Sequence, residues 1–355
     1  VVQGRCNSNA SIGHMSIIKP IARQVAKLVP PIFIRALARP AVVYFHGVEA
    51  GGSDEELERI HHKADIFEKI ITALNKSYAI LPMRMLADVL KQPDRYRNCL
   101  FITFDDGYAN NMLAAEILES MAIPWTLFVS TEHVEKGEPD PVFLARLFFM
   151  YAGAGTYSLP YFNFHITLGS PRQRKRTMER GVAELKSLDA ARADECLAAM
   201  KARLGIEELA RHVAEVRSKR FLSWDQVRQL QNRGAEIGSH ASVHWPMHAD
   251  QSETYLREQS ERSKAQIEAE VGTCSYFAYP FGRRSDCSTR AWQAVRNAGY
   301  SHAFTAIPGT LNASRNSWLL PRYGIGIHET AAGTMVPMLR ANNWRFRRWQ
   351  DIAES

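Results

Sequence analysis

Short apolar runs alternate with amphipathic segments over most of the chain. The runs are rich in β-branched and aromatic residues, a pattern typical of buried strands. The predicted strands are residues 41–48, 101–104, 124–130, 276–282, 302–305 and 319–325. Apolar residues recur at helical spacing in residues 60–74, 82–90, 111–121, 223–230, 252–271 and 289–298. This alternation predicts an α/β fold with a parallel sheet, and its roughly seven or eight β/α units are those of a barrel.

The alternation stops between residues 135 and 220, which we interpret as a largely helical insert. Residues 143–151 are apolar, residues 157–168 favour β-structure, and residues 172–218 are charged with a helical pattern. The insert follows the carboxyl end of a strand. It is therefore placed either to cover a site, as a lid or substrate wall, or only to pack against the barrel.

Two flanking segments lie outside the predicted barrel. Residues 1–15 are interpreted as a cloning remnant with the natural start near Met15, and residues 331–355 as a helical tail. Residues 1–40 hold six Lys or Arg and no acid. The helical segment of residues 16–40 is expected either to pack on the barrel or to contact an anionic membrane peripherally.

Composition is that of a globular protein. Hydrophobic residues make up 46% and charged residues 23%, and no apolar run approaches the roughly 18 residues of a membrane span. The net charge of +7 comes without a recognisable nucleic-acid-binding motif, which argues against a nucleic-acid partner. Five scattered cysteines without a CxxC pair predict buried thiols. The absence of a secretory signal favours the cytoplasm, with the periplasm as the alternative if a signal peptide was trimmed.

Two adjacent acids, Asp105 and Asp106, end the strand of residues 101–104 and are followed by Gly107. Neighbouring side chains of an extended segment point in opposite directions, so one acid can bind a metal while the other faces a substrate. An Asp-Asp-Gly sequence is also typical of a simple turn, and this stretch alone does not decide between the two.

Histidines supply further candidate chemistry. His240 and His244 are spaced i, i+4, so one helical turn would place both imidazoles on one face, where they could share a metal. A carboxylate at position 105 or 106 would complete a set of two imidazoles and one carboxylate, which leaves open coordination positions for hydrolysis. His46, at the end of the first strand, is a candidate general acid, metal ligand or structural residue.

Three motifs in this order resemble the polysaccharide deacetylase family, carbohydrate esterase family 4 with its NodB homology domain. They are Thr103-Phe-Asp-Asp-Gly107, Gly238-Ser-His-Ala-Ser-Val-His244 and Ala278-Tyr-Pro-Phe-Gly282. The resemblance implies a distorted (β/α)7–8 barrel of the NodB type over residues 41–330, carrying the insert. It also implies metal-dependent removal of N-acetyl groups from a carbohydrate substrate.

The resemblance also implies roles for individual residues. Asp105 is expected to be the general base, while Asp106, His240 and His244 bind one divalent metal ion. Zn²⁺ is expected, with Co²⁺ or Ni²⁺ possible. The backbone N–H of Phe281 is expected to stabilise the oxyanion.

The general acid and the partner of the base depart from the usual family pattern. His46 is the expected acid, as in permuted members whose last strand stands first, and His328 is the alternative. Ala278 stands where many members carry an arginine that orients the base, and Arg322 is the candidate replacement. Ala241 replaces the usual Ser or Thr of the histidine motif.

These expectations describe a glycan N-deacetylase of bacterial surface or exopolysaccharide synthesis. Two alternatives remain open. One is a deformylase or amidase acting on a small amide or a formamido sugar. The other is a sugar-binding barrel without turnover, which the missing Ser or Thr and the missing arginine would explain.

Overall fold

The computed structural model describes residues 38–51, 60–205 and 220–329. The predicted segment of residues 16–40, with its expected membrane contact, lies almost entirely outside these ranges, as does the predicted tail of residues 331–355. None of the helices in these ranges combines the length and the apolar character of a membrane span. The four cysteines in these ranges are buried thiols, as predicted.

Twelve strands are present in the described residues, four of them outside the main sheet. In chain order the strands are β1 (Ala41–Phe45), β2 (Gly47–Glu49), β3 (His61–Lys63), β4 (Ala79–Ile80), β5 (Cys99–Phe104), β6 (Thr126–Val129), β7 (Gly155–Tyr157), β8 (Ile166–Leu168), β9 (Glu236–Ser239), β10 (Tyr276–Ala278), β11 (His302–Phe304) and β12 (Tyr323–Gly324).

Ten α-helices lie between these strands in the described residues. They are α1 (Ala64–Ser77), α2 (Leu86–Lys91), α3 (Asn111–Ser120), α4 (Thr131–Lys136), α5 (Pro141–Tyr151), α6 (Pro171–Ser187), α7 (Ala190–Leu204), α8 (Trp224–Asn232), α9 (Glu253–Val271) and α10 (Thr289–Asn297). Short 3-10 turns occur at Met83–Met85 and Leu311–Ala313.

The predicted elements are present with shifted ends. The first predicted helix starts late, because His61–Lys63 pairs in parallel with Gly47–Glu49 instead of joining α1. The strand predicted over residues 319–325 is reduced to Tyr323–Gly324, although Leu320 also bridges to a neighbouring strand.

Eight strands form one parallel sheet in the order β11-β10-β9-β6-β5-β1-β12, with β4 paired to the start of β5. The ends of this sheet approach each other, because Phe304 at the end of β11 bridges to Leu320 just before β12. The sheet therefore curls into a distorted barrel of the predicted class. In a parallel barrel all carboxyl ends lie at one rim, where sites are built.

Strand β5 shows how the sequence determines the two faces of the sheet. All six of its residues are buried. Leu100, Ile102 and Phe104 pack with the helices, whereas Cys99 and Phe101 join an apolar cluster with residues from other strands inside the barrel. Continuous burial of both faces is expected for a parallel strand between a helical layer and a barrel interior.

The insert has a core of its own. Helices α5, α6 and α7 and the antiparallel pair β7–β8 pack around a separate cluster that includes Phe148, Phe149 and Leu185. Gly181 lies so close to the Phe149 ring that an added Cβ would come within 2.1 Å of it. Trp245, from the segment after β9, packs into this cluster. The insert is therefore anchored next to the histidine motif.

Candidate active site

Asp105 directly follows β5 and continues its inward face. Thr103 is the preceding residue of that face, so strand alternation directs Asp105 into the barrel interior. Arg322 meets it there, with Nη1 donating to Oδ1 at 2.7 Å and Nη2 to Oδ2 at 2.8 Å. Arg322 is fully buried and also donates to the Thr103 hydroxyl and the Thr305 carbonyl. The structure thus places a fixed guanidinium on the predicted base.

Asp106, His240 and His244 converge on one point. Asp106 Oδ1 lies 3.2 Å from His240 Nε2 and 3.3 Å from His244 Nε2, and all three residues are buried. Oδ1 has no hydrogen-bond partner among the described residues. The three atoms therefore approach as electron-pair donors facing a common centre. In the described part of the chain this is the one group of His, Cys, Asp and Glu side chains able to hold a metal ion.

A loop presents both histidines, so the prediction of a helical turn from the spacing of His240 and His244 was wrong. The His240 N–H still continues the sheet by donating to the Val129 carbonyl at 2.8 Å, which keeps the chain extended. His240 Nδ1 lies 2.7 Å from the Ala278 carbonyl. A carbonyl can only accept, so Nδ1 carries the proton and Nε2 keeps its lone pair.

The segment after β6 supports the histidine loop. Ser130 donates to the His240 carbonyl at 3.0 Å, and His133 Nε2 accepts the His244 N–H at 3.4 Å. These contacts stabilise a loop in which Ala241 lacks the hydroxyl that many family members carry. Nothing in the sequence singled out His133, because its role depends on how α4 packs against the loop.

The two carboxylates remain ionised despite burial. Burial opposes the charge of Asp105, but Arg322 outweighs it and holds the pKa of Asp105 below its usual value. Burial also opposes the charge of Asp106, and the imidazoles of His244 and His240 outweigh it and hold its pKa well below the usual value.

The two imidazoles respond to these charges in opposite directions. Burial lowers the pKa of His244 to about 4. At His240 burial acts in the same direction, but Asp105 and Asp106 outweigh it and raise the pKa. Asp105 is neutralised by a permanent cation, whereas Asp106 faces only imidazoles. A bound metal ion would therefore supply Asp106 with the permanent counter-charge that Arg322 supplies to Asp105.

The loop after β10 forms another wall of the site. Phe281 and Gly282 have φ angles of +59° and +60°, which turn the chain sharply. The Phe281 ring lies 4.3 Å from the His244 ring. The backbone N–H of Phe281 donates a hydrogen bond to no other described residue. Asp106 and Ala241 also have left-handed φ angles, of +77° and +64°. Non-glycine residues in this region store strain that is common at functional sites.

The two candidate acids lie in different environments. His46 directly follows β1 and is half-buried, and its carbonyl accepts a hydrogen bond from Asn111 at 2.7 Å. Its imidazole lies close enough to both carboxylates to lower the pKa values of Asp105 and Asp106. His328 is exposed in the loop after β12. The structure therefore places His46 close to the paired acids, whereas His328 is exposed to solvent.

The donor set fits a divalent metal ion. Two imidazole nitrogens and one carboxylate oxygen are ligands that Zn²⁺ accepts readily, as do Co²⁺ and Ni²⁺. The three donor atoms lie within 4.8 Å of one another. The Ala278 carbonyl orients one imidazole, as is usual for histidines that bind metals.

The barrel and its rim of acids and histidines define a class, that of hydrolases built on a parallel α/β barrel. A family model described as polysaccharide deacetylase matches residues 92–303, more than half of the chain. The chain belongs to the polysaccharide deacetylase family, whose members act on carbohydrates and hydrolyse amide bonds. This confirms the resemblance seen in the three sequence motifs.

Solved structures share the fold at low sequence identity. The deacetylase PplD of Streptococcus pyogenes, in complex with acetate, is 14% identical with a TM-score of 0.56, covering 84% of this chain and 98% of that one. IcaB of Ammonifex degensii is 14% identical with a TM-score of 0.54, covering 86% of this chain and 98% of that one. A polysaccharide deacetylase of Bacillus cereus is 14% identical with a TM-score of 0.52, covering 84% and 69%. A search of curated protein sequences gives no match.

Proposed function

We propose that this protein is a metal-dependent N-deacetylase of a bacterial surface glycan or exopolysaccharide. The observation that carries the proposal is the buried Asp106 Oδ1, which lacks a hydrogen-bond partner among the described residues and faces two imidazole nitrogens. Beside it lies a second carboxylate that Arg322 keeps ionised. A protein that only bound sugars would have no need of both a metal-ligand carboxylate and a second, ionised acid beside it.

The proposed chemistry divides the work among residues already described. Asp106, His240 and His244 would hold the metal, which when bound would polarise the acetamido carbonyl and acidify a water. Asp105 is the base that takes the proton of the attacking water. Each of its oxygens keeps a lone pair beyond the bond to Arg322, so the ion pair orients the carboxylate without blocking it.

Two further groups act on the substrate. The Phe281 N–H is available to donate to the oxygen on which negative charge develops. His46 is the proposed acid that protonates the sugar nitrogen, because an amine leaves poorly as an anion. Its position at the end of β1 is next to the end of β5, where Asp105 begins: the Asp105 N–H donates to the Phe45 carbonyl at 3.0 Å.

Acetate release tests this proposal directly. The metal-stripped protein is assayed with N-acetylated oligosaccharides before and after addition of Zn²⁺ or Co²⁺, with Asp105→Asn alongside. We expect metal-restored release that Asp105→Asn abolishes. Metal bound at one equivalent without release from any glycan would favour a small amide or a binding function, and failure to bind metal would refute the proposal.

The two acid candidates are separated by one pair of variants. His46→Gln is expected to lower kcat by about 10²-fold or more, the usual contribution of a general acid. His328→Gln, at an exposed position, is expected to retain full activity. The reverse result would assign the acid to His328.

A further inference from the structure

A cavity of about 470 Å³ lies between the insert and the Phe281 loop. Helix α5 contributes Arg146 and helix α6 contributes Lys186, while Arg283 comes from the loop after β10. The Phe281 ring forms the wall towards the candidate active site, since its other neighbour is the His244 ring at 4.3 Å. The cavity therefore borders the proposed reaction centre across the Phe281 ring.

Three cations converge on this cavity. Lys186 Nζ lies 3.4 Å from the centre of the Phe281 ring, a cation–π contact. Arg146 and Arg283 lie close enough to Lys186 to oppose its protonation. Within the described residues none of the three forms an ion pair, whereas Arg228, Arg233 and others on the surface do.

The acids of the cavity offset these cations only in part. Asp286 is buried, and its carboxylate already accepts hydrogen bonds from the Arg283 N–H at 3.1 Å and the Ser285 hydroxyl at 3.0 Å. Asp250 and Glu179 are exposed, and Asp250 lies 3.8 Å from His248. Two of the three cations, Arg146 and Lys186, are half-buried, whereas Asp250 and Glu179 are exposed to solvent.

Burial has a measurable consequence for Lys186. It lowers the pKa of this lysine to about 8, against the opposing effect of Asp286. Holding two further positive charges near one half-buried lysine costs stability unless an anion offsets it. Arg146 is itself half-buried.

We infer that this cavity binds an anionic substituent of the glycan, a carboxylate or a phosphate, next to the acetamido group to be hydrolysed. The inference rests on the proposed deacetylase function and adds the substrate class. The insert then acts as a substrate wall, the role for which two of the three cations are placed. Arg146 and Arg283 supply planar donors suited to carboxylate or phosphate oxygens, and Lys186 supplies a point charge.

The test uses substrates that differ only in charge. To test for a carboxylate, hyaluronan tetrasaccharide is compared with its methyl ester. To test for a phosphate, 6-O-phosphorylated N-acetylchitotetraose is compared with unmodified N-acetylchitotetraose. The metal-loaded protein is expected to prefer the anionic member of at least one pair by about tenfold in kcat/KM, mainly through KM. Whichever pair shows the preference identifies the anion.

Three variants assign the preference to the cavity. Lys186→Met is expected to reduce the ratio of kcat/KM between charged and neutral substrates to near one. Arg283→Gln, at an exposed position, is expected to lower it in the same direction and covers the case in which Lys186→Met does not fold. Arg176 lies on the same helix as Lys186 but lines a different cavity. Arg176→Gln is therefore expected to leave the ratio of kcat/KM between charged and neutral substrates unchanged.

Each possible outcome either supports or refutes the anionic subsite. Equal rates within both pairs for the unmodified protein, or an equal loss of preference in Arg176→Gln, would refute the anionic subsite. If no substrate releases acetate, the proposed function fails, and equilibrium binding of the same pairs to the metal-loaded protein still tests the cavity. Preferential binding of the anionic member that Lys186→Met removes would support the subsite on its own.

Discussion

Arg322 and Asp105 are 217 residues apart in the chain and form a fully buried bidentate ion pair with N–O distances of 2.7 and 2.8 Å. The guanidinium also stacks below the Tyr44 ring, with Cζ 4.6 Å from the ring centre. A buried arginine is tolerated only when its N–H groups have hydrogen-bond partners and its charge is balanced. Here the ionised Asp105, the proposed base, balances the charge of Arg322. The same pair therefore links the stability of the barrel to the proposed chemistry.

Replacing Arg322 by Met should damage stability and shift the pH dependence of catalysis. Loss of one partner of a buried pair leaves an uncompensated charge, so we expect a decrease of about 3–5 kcal/mol in the free energy of unfolding, measured with urea. Arg322 lowers the pKa of Asp105, so its removal should raise that pKa and move the acidic limb of kcat/KM to higher pH.

Arg84→Gln is the control for this prediction. Arg84 is exposed and lies 3.7 Å from Glu236, so its loss should change stability by no more than about 0.5 kcal/mol. An acidic limb that stays in place in Arg322→Met would show that Arg322 does not tune the base.

Much of this pair's surroundings could be predicted from the sequence. The strand of residues 101–104 and the Asp-Asp-Gly motif are local features, so the run of aromatic and β-branched residues and the family resemblance were enough to predict them. Arg322 was a candidate because Ala278 lacks the arginine of the family and Arg322 stands near the end of another predicted strand. Its bidentate contact depends on the closure of the barrel between Phe304 and Leu320, which no local pattern encodes.

The support of the histidine loop and the cationic cavity could not be predicted. His133 acts through a single long-range hydrogen bond, and Lys186 reaches Phe281 only because the insert packs against the barrel. The spacing of His240 and His244 was misleading for a related reason. It matched a helical turn, but the pairing of β9 with β6 keeps the chain extended as far as His240.

Gly282 should not tolerate a side chain. Its φ angle is +60°, and an added Cβ would lie 2.6 Å from the Ala306 backbone N and 3.1 Å from the Tyr279 carbonyl O. Gly282→Ala therefore combines left-handed strain of about 1 kcal/mol with a backbone clash that the barrel cannot relax easily. We expect a loss above 2 kcal/mol in thermal or urea unfolding, and reduced kcat from displacement of Phe281.

Gly137→Ala separates the two causes. Gly137 has a similar φ of +66° but no atom within 4 Å of its added Cβ. Gly137→Ala should therefore lower the free energy of unfolding only by the left-handed backbone strain, about 1 kcal/mol. Equal losses in the two variants would show that the clash at Gly282 contributes nothing.

His62 should make the fold sensitive to mild acid. It is buried on β3 against Phe45, and burial lowers its pKa to about 4, with a smaller effect of the same sign from His46. The unfolded chain takes up a proton near pH 6.5 and the folded chain near pH 4. Between these values the unfolded state binds more protons, so stability should fall as the pH is lowered, by about 3 kcal/mol from this residue.

Urea unfolding at a series of pH values measures this contribution. His62→Gln should show a smaller decrease in stability between pH 6.5 and 4 than the unmodified protein, whereas His165→Gln, at an exposed site, should show the same decrease. Parallel curves for His62→Gln and the unmodified protein would contradict the assignment.

His133 should control how tightly the proposed metal is held. Its Nε2 accepts the His244 N–H, and its Nδ1 lies 3.1 Å from the Glu138 carbonyl, which fixes the tautomer that can accept. His133→Phe preserves the stacking on Phe221, where the ring centres are 4.8 Å apart, but removes the acceptor. Loss of such outer contacts commonly weakens metal binding by about 10–100-fold.

Competition with a chelator for Zn²⁺ measures this effect independently of turnover. His133→Gln should recover part of the affinity, because its amide oxygen can accept the same N–H. His302→Phe replaces a largely buried imidazole at the amino end of β11, the far rim of the barrel, and should leave Zn²⁺ affinity unchanged. A loss in His302→Phe as large as in His133→Phe would point to general loosening of the barrel. An unchanged affinity in His133→Phe would mean that Ser130 and the sheet alone position the histidine loop.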